Sequence, residues 1–379
     1  MPRGTTGGFY DWESFRYAEG LETVRFLRDT AEKYAPGKLR QIKTIAVTDL
    51  NPEQYTPVGV EREARGELMD IAGSDCAATF HLDYYRSMVP EKPASDTEFH
   101  VSTGITPEEI VTDNWSAVLH GEGMREYFAW SNSYSAEIQV AGAMLHIPEA
   151  LEALGRSVLD IRRLAPEIVR FQQRIPEAEV GILYSPASLY CDKGYPPSLR
   201  QYHASLSHLD APIRFVSERQ LESGKFDSLK LIVVPEAAVI PSETVDALNR
   251  FVDRGGVVVL AEGALRSDPY GEPLPALKKA RRLEGAIDTA GFDRLLTECG
   301  ISRPVRLRGV VPGQIELRSV RLSPEETLFY AINYGPAVEF RPELEGVPVE
   351  SARELISGKD VRFPVELKNR QPVMFKVKK

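Results

Sequence analysis

The stretch KPASDTEFHVSTGI (92–105) is followed, after Thr106, by PEEIVTDNWSAVLHGEGMREYFAW (107–130), and its reading decides the fold. The first segment has the Pro-bounded form of a buried parallel strand and delivers a carboxylate, Glu98, where the run turns polar and Gly-rich. Catalytic side chains are commonly carried at the C-terminal ends of parallel strands, so this is a position suited to chemistry. Pro107 and two acidic residues then open a helix with Ile110, Trp115, Val118 and Leu119 at roughly helical spacing, and Gly121 and Gly123 stop it. MREYFAW reads as a second strand ending in Trp130.

The same alternation extends in both directions. Asp11 to Tyr34 predicts a helix whose apolar side is Phe15, Ala18, Leu21, Val24, Phe26 and Leu27, ended by Pro36-Gly37. IKTIAVTD (42–49) predicts a buried strand, Glu61 to Ile71 a helix, and CAATFHLDYY (76–85) a strand closing on Asp83, Tyr84 and Tyr85. An amphipathic helix from Pro148 to Phe171 closes this first segment.

Bulk properties limit the function classes. With 379 residues, two or three domains are expected. A formal charge of −9 without a basic stripe argues against nucleic acid or an anionic membrane as partner. Cys76, Cys191 and Cys299 lie far apart without metal-ligand spacing, so neither a disulfide framework nor a metal site is expected. No apolar run is long enough to span a bilayer and the N-terminus lacks the apolar core of a signal peptide, so the expectation is a soluble, cytoplasmic protein.

From 179 to 263 the pattern is cleaner. VGILYSP, IRFVSE, LKLIVVPEA and VVVLAEG are apolar strands that alternate with the helical segments SLRQYHASLSHL and SETVDALNRFVDRGG, with a loop rich in Tyr and Pro after the first strand. Uniformly apolar strands separated by helices predict a doubly wound, flavodoxin-like parallel sheet. Pro241-Ser242-Glu243 is expected to cap the second helix and Arg254-Gly255-Gly256 to end it. A polar linker follows at 267–282, then a helix from Ala290 to Cys299 and a set of short alternating strands that predict a small antiparallel β-sandwich.

In Glu98, Trp115, Gly121, Phe128, Trp130 and Glu137, in that order, the chain resembles the retaining glycosidases built on a (β/α)8 barrel. It most closely resembles the β-galactosidases of glycoside hydrolase family 42. It departs from that pattern at His120 and Glu122 around Gly121, and at Ala129 before the Trp. LIVVPEA and FVDRGGVVVLAEG resemble that family's glutamine-amidotransferase-like trimerisation domain, and ELISGKDVRFPVEL with PVMFKV resembles its closing β domain. The implied organisation is a partial (half) (β/α)8 barrel at 1–175, an amidotransferase-like α/β domain at 176–300 and a C-terminal β domain at 301–379. A closed barrel takes about 250 residues, so only its second half is expected here.

The resemblance implies a retaining β-galactosidase-type glycoside hydrolase that needs no cofactor. Glu98 is then the nucleophile, and the acid/base Glu belongs to an upstream strand. Tyr84 or Tyr85 would hydrogen-bond Glu98, Trp130 would form an apolar platform under a sugar ring, and Glu137 would bind sugar hydroxyls. Each has a plainer alternative: an ion-paired carboxylate for Glu98, core packing for the aromatics. His81 and His100 are expected within strands as core histidines.

Amidotransferase chemistry is not expected, because the turn Leu260-Ala261-Glu262-Gly263 carries no thiol and Cys191 has no evident base beside it. The implied partners are a carbohydrate and either further copies of the chain, as a trimer, or a complementary half-barrel. An isolated half-barrel would expose strand edges and apolar interior, which predicts an oligomeric or poorly soluble chain. The other class of function is a non-catalytic sugar-binding or assembly subunit.

Overall fold

The computed structural model describes residues 7–43, 62–75, 78–100, 105–128, 148–285 and 287–378. They belong to two compact units, one formed by 1–96, 175–204 and 213–288 and the other by 97–174, 205–212 and 289–379. Parallel pairing lies within the first three quarters of the chain and antiparallel sheets within the last quarter.

The first unit begins with helix α1 (Gly7–Tyr34), which buries Phe9, Glu13 and Val24. That buried line is offset from the expected one, since Phe15, Phe26 and Leu27 are all more than half exposed. Helix α2 (Arg62–Leu68), strand β1 (Ala72–Ser74) and helix α3 (Thr79–Met88) follow. Strand β1 pairs in parallel with the start of β2 (Ala94–His100). Gly73 is required there, because a Cβ would stand 2.4 Å from the Ser95 carbonyl oxygen.

The segment expected as a strand ending at Asp83, Tyr84 and Tyr85 is instead helix α3, and the strand is the shorter β1 before it. Every residue from Phe80 to Met88 is buried. A helix covered on all sides loses the 3.6-residue polar interruption that marks a half-exposed one, and its apolar run then reads as a strand. Most of the expected strand IKTIAVTD, residues 44–49, lies outside the described residues.

The same unit contains a five-stranded all-parallel sheet built from β4 (Val180–Tyr184), β5 (Ile213–Ser217), β6 (Leu231–Val234), β7 (Val257–Leu260) and β8 (Arg281–Arg282). The strands lie in the order β5-β4-β6-β7-β8, the 2-1-3-4-5 order of a flavodoxin-like doubly wound sheet. The Tyr- and Pro-rich stretch after β4 is not a loop but a short helix, α7 (Pro186–Cys191), entered through Ser185, whose hydroxyl accepts from the Ser188 N–H. α8 (Tyr195–Ser207), α9 (Glu218–Glu222) and α10 (Ser242–Asp253) complete the connections. The N-cap of α10 is Pro241 without a side-chain cap, and Ser242 is already helical. Helix α3 lies against the β5 edge: Ser87 Oγ accepts from the Phe215 N–H at 3.0 Å, and the Phe80 ring meets Phe215 edge-on at 4.8 Å.

In the second unit, helix α4 (Pro107–Leu119) starts with a capping box in which Thr106 and Glu109 satisfy each other's backbone N–H. It ends at Gly121, whose φ of 100° suits only glycine. Strand β3 (Glu122–Phe128) lies next to β2. The single helix expected from Pro148 to Phe171 is two, α5 (Pro148–Arg163) and α6 (Ala165–Gln172), interrupted before Pro166.

After α11 (Thr289–Glu298) come β9 (Val305–Arg308), β10 (Ile315–Ser323), β11 (Glu326–Asn333), β12 (Val338–Leu344), β13 (Val347–Pro348), β14 (Ser351–Glu354), β15 (Lys359–Arg362), β16 (Val365–Leu367) and β17 (Pro372–Lys378). One antiparallel sheet has the order β10-β11-β17-β14-β15, and a second joins β13, β12 and β16, with β9 also pairing β12. Alternation along β11 shows why both faces of the larger sheet are apolar. Phe329 and Ala331 join Phe340, Leu344 and Leu367 of the facing sheet, while Leu328, Tyr330 and Ile332 pack on Trp115 and Leu119 of α4 and on Ile168 and Phe171 of α6. Full burial of each large apolar side chain contributes about 1.5–3 kcal/mol. Trp115 therefore serves as core that fastens α4 to this sheet.

Candidate active site

Glu98 occupies the fifth position of β2 and is half-buried. Its neighbour Phe99 packs with Ile105, Ile110, Ala150 and Leu154, the residues under α4 and α5, and meets the Tyr127 ring edge-on at 5.5 Å. Successive side chains of a strand point to opposite faces, so Glu98 stands on the face turned away from these helices. The same alternation in β3 puts Arg125 and Tyr127 on the helix side and the exposed Glu126 opposite. Glu126 is a carboxylate that the sequence reading passed over, since MREYFAW was singled out for its aromatic end.

The helix side ties β3 to α4 and α5 through a partly buried polar cluster. Asn114 of α4 accepts from the Tyr127 hydroxyl at 2.6 Å and from Arg125 Nη1 at 3.2 Å, and donates to Ser157 Oγ of α5 at 2.8 Å. Arg125 is paired with Glu122 at 2.9 Å, and its guanidinium lies 4.3 Å from the centre of the Phe99 ring. Burial raises the Tyr127 hydroxyl above its ordinary pKa, so it stays a neutral donor to Asn114. Each such bond contributes about 1 kcal/mol net, but an orphaned partner costs more, which fixes the rotation of β3; β2 meets the cluster through Phe99, which packs on Arg125 and Tyr127.

The other expected site residues are distributed differently. Tyr84 and Tyr85 are on helix α3, almost wholly buried, and both sit in aromatic packing with each other. Tyr84 packs on Tyr184 at 4.4 Å, and the Tyr85 hydroxyl accepts from Arg65 Nη2 at 2.6 Å. Arg65 also donates to the Gly73 carbonyl, so Tyr85 helps brace strand β1. His81 is on α3, not on a strand, and His100 ends β2. Trp130 and Glu137 lie outside the described residues, as does Cys76. Burial pushes the Cys191 thiol up to about 11, so at neutral pH it is a thiol and not a nucleophile.

Two buried carboxylates were missed. Glu316 of β10 takes His120 Nε2 at 2.6 Å, the Tyr330 hydroxyl at 2.7 Å and the Tyr334 hydroxyl at 3.1 Å, and Arg318 Nη2 lies 3.0 Å from His120 Nδ1. Burial acts to raise the Glu316 carboxyl, but His120, Arg318 and His208 outweigh it and bring the pKa down to about 2. Glu218, at the start of α9, accepts from Ser185 Oγ at 2.5 Å, and burial pushes its pKa up to about 8. His120 is 196 residues from Glu316 in sequence, so no local spacing announces the pair.

Residues 178–269, which hold the parallel sheet from β4 to β7, match the family model of the beta-galactosidase trimerisation domain. The chain is similar to the family 42 β-galactosidases. Beta-galactosidase GalA of Bacillus licheniformis is 23% identical over 199 residues, which is 48% of this chain and 29% of that protein. The apo exo-carrageenase of family 42 from Bacteroides ovatus superposes with a TM-score of 0.84 at 17% identity, over 98% of this chain and 56% of its own. The β-galactosidase from Bacillus circulans sp. alkalophilus gives 0.73 at 12% identity, over 97% and 67%. At these identities the shared property is the fold. The chain spans under a third of the curated family 42 relative and between half and about two thirds of these two solved family 42 structures.

Proposed function

We propose that this chain is the C-terminal part of a retaining glycoside hydrolase of the β-galactosidase type, with Glu98 as nucleophile. The observation that carries the reading is the place of Glu98: half-buried on β2, on the face opposite the helix-packed Phe99, in a chain that shares its fold almost throughout with family 42 enzymes. In that chemistry one carboxylate attacks the anomeric carbon and a second carboxyl, about 5–5.5 Å away, protonates the leaving oxygen and later activates water. The second carboxyl belongs to a strand-end Glu in the other half of the barrel. Trp130 and Glu137 supply the ring platform and hydroxyl contacts, and the free thiol of Cys191 suits a reducing, cytoplasmic setting. Residues 1–175 are the half-barrel, 176–300 the trimerising domain and 301–379 the closing β domain.

The experiment is covalent trapping. A 2-deoxy-2-fluoro-galactosyl fluoride slows hydrolysis of the glycosyl-enzyme more than its formation, so it should leave one fluorosugar on the peptide that contains Glu98, read by mass spectrometry. A label on another carboxylate removes Glu98 from the mechanism. No label on a folded chain that still binds galactose favours the non-catalytic sugar-binding subunit. Self-assembly is measured separately: light scattering should give three times the 42.3 kDa chain mass, and a monomer would end the trimer reading.

A further inference from the structure

In the second unit a groove of about 540 Å³ runs between β3 on one side and helices α5 and α6 on the other. Four consecutive residues of β3, Glu122 to Arg125, line it. Successive side chains of a strand point to opposite faces, so a groove that touches all four meets the strand along its edge. β3 is an end strand of its sheet, and among the described residues its outer edge pairs with no strand. Such an edge presents a row of backbone N–H and C=O groups to any segment that can pair with them. The helix wall is apolar: Val118, Ile161 and Ile168 form it, and Val158 and Val169 stand at the rim, 39% and 43% exposed.

The two walls together select the occupant. A small apolar ligand would cover the valines and leave the strand edge unpaired, and a helix would do the same, because its own backbone groups are spent internally. An extended polypeptide satisfies both walls, with main-chain bonds to β3 and alternate side chains on the helices. The charges lining the groove add a detail. Arg125 is paired with Glu122, and Asn114 takes both Arg125 and the Tyr127 hydroxyl, so this part of the wall is satisfied within itself. Gln172 is held by the Val118 carbonyl at 2.8 Å. Arg162 of α5 is left, exposed and without an ion pair among the described residues. We propose that the groove seats an extended polypeptide strand, which adds to the outer edge of β3, lays alternate apolar side chains on Val118, Ile161 and Ile168, and sets a carboxylate against Arg162. The source of that strand rests on the function proposed above: it is the complementary half of the barrel.

The test is hydrogen exchange of the full chain, read by mass spectrometry over residues 122–128, with and without a soluble seven-residue peptide in which valine alternates with threonine and one end carries a glutamate. In the chain alone the amides on the outer edge of β3 should exchange freely. The peptide should bind saturably and slow them at least tenfold. Val158→Glu combined with Val169→Glu changes only exposed rim positions and should weaken binding at least tenfold, with the melting temperature reporting the fold. Arg162→Glu should reverse the end preference, so that a lysine-ended peptide binds better than the glutamate-ended one. Three results overturn the proposal: β3 amides already protected throughout in the chain alone, no binding of the peptide, or binding undiminished in the double variant. Any of these with a fluorosugar on Glu98 removes the strand seat and leaves the glycosidase reading intact, whereas peptide binding with no label on Glu98 does the reverse.

Discussion

Glu98→Gln should lower glycoside hydrolysis by on the order of 10⁴-fold, about 5 kcal/mol of transition-state stabilisation, in any preparation of this chain, or of a longer protein containing it, that turns over galactosides. The amide is nearly isosteric, so the packing of Phe99 with Tyr127 and the Asn114 cluster on the opposite face of the sheet should persist, and the melting temperature should change little. What is lost is the negative oxygen that attacks the anomeric carbon. The loss should fall on kcat and kcat/KM together, because the bond to Glu98 forms only as the transition state is approached. Glu98→Ala leaves space on the same face, and azide should restore part of the turnover with the galactosyl azide in the inverted configuration. Unchanged kcat in Glu98→Gln would show that the half-buried carboxylate is one more structural ion pair.

How much of this was legible follows from how local each signal is. Helix α4 is written in adjacent residues: the Thr106–Glu109 capping box, Pro107 at its start and Gly121 at its end. The parallel sheet is equally local in four of its five strands, since β4 to β7 are apolar runs, whereas β8 (Arg281–Arg282) lies in the segment expected as a polar linker. Helix α3 was misread because the cue for a helix is the exposed face, and α3 has none. Periodicity alone puts the apolar side of α1 on Phe15, Ala18, Leu21, Val24, Phe26 and Leu27; of these Val24 is buried, together with Phe9 and Glu13, while Phe15, Phe26 and Leu27 are more than half exposed. Glu98 was found from a strand ending in a polar, Gly-rich turn, but the residues that fix the neighbouring strand β3, Asn114, Arg125 and Ser157, have no chemical signature in sequence. They are ordinary polar residues until α4, β3 and α5 come together.

Two of the buried carboxylates, Glu218 and Glu316, should contribute opposed pH limbs to the protein's stability. Glu218 keeps its proton in the fold up to about pH 8, because burial outweighs the Ser185 and Ala187 hydrogen bonds, while the unfolded chain loses it near 4.5. Between those values the folded state binds the extra proton, so stability falls as pH rises, at about 1.4 kcal/mol per unit and roughly 5 kcal/mol over the window. Glu316 behaves in the opposite sense. Its folded pKa of about 2 lies below the unfolded 4.5, so the stability it contributes is complete above 4.5 and is lost as pH falls toward 2. Glu218→Gln keeps an acceptor for the Ser185 hydroxyl and cannot ionise, so the difference between its unfolding free energy and that of the wild type should grow steadily from pH 5 to 8. Glu316→Gln should instead flatten the acid limb, at the expense of stability near neutrality, where His120 and Arg318 lose the charge they face. Glu218 belongs to the first unit and Glu316 to the second, so denaturant titrations should show the alkaline limb in one transition and the acid limb in the other wherever the units unfold separately. Parallel wild-type and Glu218→Gln curves across pH 5–8 would mean that Glu218 is ionised inside the fold, which its setting beneath α7, where burial and the nearby Glu222 both disfavour the charge, makes energetically costly.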